Sequence, residues 1–524
     1  MRYLQNTVDI VPYHTEQILN SVGEQWTRFE RFLILGSETG TYYVNERELS
    51  MKNVAAVTGC LRADGLRVVR AVREISTTGC APKHAPALFV LALAASPKFA
   101  DSETNAAALQ ALPQVARTGT ELCTFAGFVE KVRGWGRSLR SAIADWYLTK
   151  PAAELSSQML KHQRSNGWSH RDLLRLSHPK AVTAAHNALF QWAVEKKLGH
   201  LATLPILDGD LRQIRAFEQA RKATGEDEIV RLIEDYRLTH DLIPAKWKRS
   251  ACVWEPLLES MHYMDLVQYL GKLTAVGLLQ PGSPAVALVV ARIADRGRVF
   301  NSKVHPIALM SALQTYKSGA LGDLHWSPVA SVIDALDAAF YMAFDNVGSS
   351  GKRVYLAIDA SASMQESTCN GMPHVSPAMA SAVLAMMFAR TQPICKIAAF
   401  HDQVSKVDIG HKDQFEWACE AISHEPRGAN ASLPIHDALD RGLAVDAFVI
   451  LTDNETWSGD EHPVPALEEY RKTTGINAKL AVIAMAANQY GIVDPTDASQ
   501  MNIVGFDATV PAVLMQFITG RSST

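Results

Sequence analysis

Apolar positions in the first two-thirds of the chain recur every three to four residues, and strand-like alternation is scarce. Within 66–75, Leu66, Val69, Val72 and Ile75 form one stripe while Arg67, Arg70 and Arg73 form another, so one helix face packs and the other carries positive charge. Similar spacing predicts helices over 83–95, 122–148, 153–164, 182–197, 211–224, 228–236 and 261–270, with Gly, Pro and Asn between them. Helices of this length stack into an armadillo- or HEAT-like solenoid, although no letter-level repeat is visible and an irregular bundle fits the same pattern.

A helical stretch over 331–344 runs into Asn346-Val347-Gly348-Ser349-Ser350-Gly351, small residues that stop a helix, and the pattern changes there. Apolar runs at 354–358, 394–400, 447–451 and 479–484 alternate with helical segments at 379–390, 414–422, 434–442 and 465–472. That alternation predicts buried parallel strands in a doubly wound α/β domain. The chain therefore divides into a helical part, 1–345, and an α/β part, 352–524.

The first of those strands ends in Asp359-Ala360-Ser361-Ala362-Ser363, a D-x-S-x-S pattern, and the third ends at Asp453. Ligands of doubly wound sheets gather outside the carboxyl ends of the strands, where strand order reverses, so two loops converge on one candidate metal site. Carboxylate and hydroxyl oxygens suit Mg²⁺ or Mn²⁺, which keep waters and accept a partner's ligand atom. Ser361 and Ser363 would hold the ion, Asp453 would approach it directly or through water, and Asp359 would orient the site. Turn and capping roles are the plainer reading of the same residues.

A chain of 524 residues, 48% hydrophobic and 20% charged, has material for more than one soluble core. Its seven cysteines are odd in number, scattered and never in a C-x-x-C pair, which argues against a disulfide framework or a zinc site. The first residues lack the apolar stretch of a secretory signal, and runs such as 87–95 are too short to cross a bilayer, so a cytoplasmic protein is expected. The net charge of −3 conceals an asymmetry: from Asn346 onward there are 12 Lys and Arg against 20 Asp and Glu, and before it 39 against 34. A mildly basic helical part is compatible with a polyanion.

The basic residues cluster. Lys161, His162, Arg164, His170, Arg171, Arg175, His178 and Lys180 gather around Trp168 at a junction where Gly167 is expected to end one helix and Ser169 with Asp172 to begin the next as a capping box. Such a junction offers charge for phosphates and flat groups for bases. Arg133, Arg137 and Arg140 form a second patch, Lys246, Lys248 and Arg249 a third, and Arg296, Arg298, Lys303 and His305 a fourth. Solvated surface charge is the alternative for each, and Trp168, Leu173, Leu174 and Leu176 also read as core.

Several segments together resemble the Ro autoantigen family. They are 75–83 (Ile-Ser-Thr-Thr-Gly-Cys-Ala-Pro-Lys), 133–137 (Arg-Gly-Trp-Gly-Arg), 163–179 with its Ser-Asn-Gly-Trp-Ser-His core, and 452–456 (Thr-Asp-Asn-Glu-Thr). The helical part is similar to the family's TROVE module and the α/β part to a von Willebrand factor A domain, as in a bacterial Ro homologue. The resemblance implies a ring of HEAT-like repeats closed by the A domain. It implies RNA binding without catalysis: a small noncoding Y RNA on the outer surface, and single-stranded ends of misfolded RNAs in the central hole. It also implies a monomeric ring working with an exoribonuclease such as polynucleotide phosphorylase, in RNA quality control, rRNA processing and stress. Lys161 and His178 fall on positions associated with Y RNA contact.

Two departures from the family pattern stand out. Ser165 replaces the arginine that often precedes Asn166, and Ala429 stands where the A domain supplies a threonine hydroxyl, leaving Asn430 or water to substitute. Two other function classes compete with the RNA-holding ring. One is an adhesion or assembly module that uses the metal site to bind a protein carboxylate. The other is a metal-assisted hydrolase, which lacks a Gly-rich phosphate loop or a Ser-His-Asp arrangement to support it.

Overall fold

The computed structural model describes residues 22–520, apart from 39, 46–48, 50–53, 79–80, 163, 199–204, 206–208, 210, 423–428, 454–461, 488–492 and 495–496. Strands in chain order are β1 (Thr41–Tyr43), β2 (Arg164–Ser165), β3 (Trp168–Ser169), β4 (Ala320–Leu321), β5 (Leu324–His325), β6 (Val354–Asp359), β7 (Cys395–Phe400), β8 (Val404–Lys406), β9 (Ala447–Thr452), β10 (Lys479–Ala484) and β11 (Gln500–Val504). Helices dominate the described residues of the first part, and in its first half several pack against a neighbour two places along. Ala55–Thr78 lies on Ser102–Val115, which lies on Arg137–Leu148, which lies on His170–Ser177. That alternation is the stacking of a HEAT-like solenoid, in which each helix pair buries its apolar face on the next.

Two predicted helices are shorter than expected. The stretch 122–148 is two helices, Gly119–Val132 and Arg137–Leu148, because Gly134 takes φ +76° and turns the chain between them. The stretch 153–164 stops at Lys161, and 164–169 instead forms the hairpin β2–β3. Asn166 and Gly167 are both left-handed, φ +47° and +82°, as a two-residue hairpin turn of the primed type requires. Gly167 is therefore a hairpin residue and not a helix cap, since the Asn-Gly pair favours the turn that reverses two strands.

The α/β part is built on one sheet, in the order β1-β11-β10-β9-β6-β7-β8, parallel throughout except for β8. Strands β6 and β9 are buried along their whole length, which matches their unbroken apolar sequence. The chain leaves β6 for β7 on one side and returns to β9 on the other, so strand order reverses at β6.

Both ends of the helical part meet this domain, and the helical solenoid is thereby closed into a ring. At the first end, β1 adds itself to the sheet edge beside β11, with Tyr42 opposite Ile503. Lys83, from the Ile75-to-Lys83 segment, donates to the carbonyls of Tyr43 and Val44 at 2.7 and 2.8 Å and pins that strand to the helices. Arg31 donates to the Gln500 carbonyl at 3.2 Å, and Tyr42 and Thr509 hydroxyls meet at 2.8 Å. At the other end the Phe415 amide donates to the Tyr341 hydroxyl at 2.9 Å, and the Phe340 and Phe415 rings pack edge to face.

Candidate nucleic-acid interface and metal-ligand loop

The helix His170–Ser177 begins with the expected capping box: Ser169 accepts from the Asp172 amide and Asp172 accepts from the Ser169 amide. Two orphan donors are satisfied and the helix start is fixed against the β2–β3 hairpin. The helix ends at His178, which takes a left-handed conformation, φ +46°, as its C-cap and leaves its imidazole exposed. Lys161, Arg164, Arg175 and Lys180 are exposed around the same junction, and among the described residues none of them has an ion-pair partner. Asn166 donates to the Thr124 hydroxyl at 2.8 Å, which ties the hairpin to the helix Gly119–Val132.

The two aromatic segments meet here. Trp135, from 133–137, lies 4.9 Å from Trp168 between ring centroids, so residues more than thirty apart in sequence form one surface. Arg137 and Arg140 are exposed beside it. Arg133 is not a free cation: its guanidinium is half-buried and donates to the Ala95 carbonyl at 2.6 Å, closing the end of another helix.

His170 departs most from expectation. It is 2% exposed, its Nδ1 meets the Tyr147 hydroxyl at 2.8 Å, and its ring stacks on Trp146. Burial pushes its pKa from 6.5 down to about 3, so the ring is neutral and forms core. A side chain on Gly119 would stand 2.5 Å from its Nε2, so the packing there demands glycine. His162 is half-buried with Nδ1 2.8 Å from the Thr120 hydroxyl, and Arg171 is half-buried beside Lys196. Lys196 had no sequence signal linking it to this face; it caps its helix in a left-handed conformation and adds a cation next to Arg171.

The other basic patches are mixed. Lys246 donates to the Ala223 carbonyl and covers the Trp247 ring, while Lys248 is half-buried and Arg249 exposed. Arg296 pairs with Asp345 at 2.7 Å, Arg298 and Lys303 are exposed, and burial pushes His305 down to about 4. His305 is neutral there and accepts from the Ile307 amide, so it supplies no charge.

At the carboxyl end of the sheet, three adjacent strands deliver the oxygen donors. Asp359 ends β6, Asp453 follows β9, and Asn430 is tied to the residue after β7, its amide donating to the His401 carbonyl at 2.9 Å. Asp359 is 5% exposed; its Oδ1 accepts from the Ser361 amide and its Oδ2 from the Thr452 hydroxyl, both at 2.8 Å. Burial raises its pKa, with those donors opposing the shift. The Ser361 and Ser363 hydroxyl oxygens are 3.1 Å apart, and Asp453 accepts from Ser367 at 3.4 Å. Asn430 is turned into its own loop, its Oδ1 accepting from the Ser432 amide and hydroxyl at 3.0 and 2.8 Å. Its oxygen is thus engaged where a substitute for the missing threonine hydroxyl was expected. Residues 454–456 of the family-like segment lie outside the described residues.

The TROVE domain family model matches residues 14–240 and 236–320, and the Ro60 vWA domain model matches 353–518. The protein named RNA-binding protein RO60 in Deinococcus radiodurans is 35% identical over 502 residues, covering 94% of this chain and 93% of that protein. This chain belongs to the Ro family. A second Ro relative, RNA-binding protein RO60 of Caenorhabditis elegans, is 30% identical over 569 residues, 94% of this chain and 88% of that protein. The crystal structure of the Deinococcus radiodurans RO (RSR) protein aligns with a TM-score of 0.89 at 34% identity, covering 95% of this chain and 100% of that chain. The Ro fold thus extends through both parts of the molecule. Among the described residues no helix is long and apolar enough to cross a membrane.

Proposed function

We propose that this chain is a non-catalytic RNA-binding ring that holds a small structured noncoding RNA of the Y class on its outer face, at the Lys161-to-Lys180 junction. Its central hole takes single-stranded ends of misfolded RNAs, and an exoribonuclease such as polynucleotide phosphorylase works beside it in RNA quality control, rRNA processing and stress. The observation that carries this reading is the set of exposed cations, Lys161, Arg164, Arg175 and Lys180, unpaired among the described residues, with His178, fixed around one capped helix and one tight hairpin. Phosphates neutralise such a face and release counterions, which supplies affinity without enzymatic machinery. Two RO60 relatives that carry RNA-binding in their names support the same reading.

The A-domain loop fits a hard divalent cation, Mg²⁺ or Mn²⁺, through the oxygens of Ser361, Ser363 and Asp453. An ion bound there supplies a coordination position for an oxygen of a partner. Asp359 acts from beside it, holding the Ser361 backbone and Thr452 in place through its two carboxylate oxygens. With Asn430 facing Ser432 and Ala429 lacking a hydroxyl, the protein itself supplies few direct ligands, so this is a weak site.

Sequencing the RNA that copurifies with the protein from its own cells tests the proposal. A small structured noncoding RNA should dominate. Purified protein free of RNA, and indifferent to added RNA at low ionic strength, would overturn it.

A further inference from the structure

A cleft of about 650 Å³ opens at the seam between the ring and the A domain. One wall is the helices Tyr263–Ala275 and Pro306–Ser318 with the β4–β5 hairpin, and the other is Met372, Pro373 and Ala508 of the A domain. Two half-buried aromatic rings in it are held rigidly. Trp326 donates its indole N–H to the Tyr316 carbonyl at 3.0 Å, stacks on Tyr316 at an interplanar angle of 22°, and presses so closely on Gly271 that an added Cβ would stand 2.7 Å from the ring. Tyr269 meets His240 edge to face and Trp254 at a tilt, with centroids 4.6 and 5.2 Å away, and lines the cleft.

The cleft lining carries two cations and one carboxylate. Lys248 and Lys272 line it, and among the described residues neither has a carboxylate within ion-pair distance. Asp507, the carboxylate of the lining, accepts from the Thr509 amide and hydroxyl through its Oδ1 at 2.8 and 2.5 Å, which orients that oxygen toward its own loop. Leu321 at the hairpin tip is 48% exposed beside them. Fixed aromatic faces next to unpaired cations are what a nucleobase with its flanking phosphates requires, because every base has a face that stacks and a backbone that is anionic.

We propose that this seam cleft binds a nucleobase of single-stranded RNA, stacked against Trp326 and Tyr269, with Lys248 and Lys272 facing the sugar-phosphate backbone. The assignment rests on the RNA-binding reading above and gives it a strand-binding subsite separate from the Lys161-to-Lys180 face.

The full-length protein is titrated by fluorescence anisotropy with a labelled oligouridylate of about 12 nucleotides and with an abasic strand of the same length. Trp326→Leu should weaken the oligouridylate about 10-fold while changing the abasic strand less than about twofold, and Trp326→Phe should restore most of the loss. Replacing Lys248 and Lys272 by Gln should weaken both strands and make the salt dependence shallower. Retained binding of a structured RNA hairpin by each variant reports that the ring is intact. Equal loss for both strands in Trp326→Leu, or no loss in either the Trp326 or the lysine variants, would leave the cleft to a protein segment or to packing and overturn the proposal. Wild-type protein that binds neither strand would overturn strand capture as a whole.

Discussion

At the Lys161-to-Lys180 junction Lys161, Arg164, Arg175 and Lys180 face solvent and, among the described residues, have no carboxylate partner, whereas in the Asp359 loop both carboxylate oxygens already accept hydrogen bonds from the protein. The first region keeps its binding capacity for something outside the molecule. The second spends much of its polarity holding itself in shape: Asp359 orients Ser361 and Thr452, and Asn430 orients Ser432. Exposed cations weaken stability little and bind polyanions readily, while a buried carboxylate with two donors is costly to disturb. The two regions should therefore respond to substitution in opposite ways.

Replacing Lys161 and His178 together by Ala should give the largest change, weakening structured RNA on the order of 30-fold if each contact is worth about 1 kcal/mol, and leaving thermal stability almost unchanged. Filter binding with a Y-like RNA checks this, and an unchanged curve would erase the distinction between the regions. Next comes His170, which sits eight residues before His178 and inside the core. Its folded pKa, about 3, lies below the ordinary 6.5, so the unfolded chain binds the extra proton between those values. Stability is full above pH 6.5 and falls by up to about 1.4 kcal/mol per pH unit as pH drops toward 3. His170→Gln should flatten that slope in denaturant titrations and leave RNA affinity alone, unlike any change at His178. The smallest effect on RNA is expected from Asp359→Asn, within about twofold, although heats of Mg²⁺ or Mn²⁺ binding should fall and the loop should lose stability worth about 1–3 kcal/mol. Abolished RNA retention in a folded Asp359→Asn protein would merge the two regions into one.

Much of this contrast was legible in the chain because periodicity reports burial. The strands β6, β7, β9 and β10 read as apolar runs, and the Ser169–Asp172 capping box read from its spacing. The missed strands carry weaker patterns. β1 is three residues long, and β11 places the polar Gln500 and Asn502 inside, so neither looks like a core strand. β8 is a short edge strand with two exposed residues. Gly167 alone is compatible with a helix cap, but the Asn166-Gly167 pair is a hairpin signal, and the hairpin is what forms. His170 opens one short helix and His178 caps its end, and the burial of His170 depends on Tyr147 and Trp146 arriving from another helix. The anchoring role of Lys83 depends on a strand forty residues earlier, and the pairing of Trp135 with Trp168 on a hairpin, so both needed the fold.

The central claim, that the capped helix junction grips phosphates, is tested most directly by the salt dependence of structured-RNA affinity between about 50 and 200 mM monovalent salt. With about four exposed cations engaged, the logarithm of affinity should fall against the logarithm of salt with a slope near −3 to −4, becoming shallower when Lys161 is replaced by Ala. A flat line for the wild-type protein, or a slope that Lys161→Ala leaves unchanged, would contradict it.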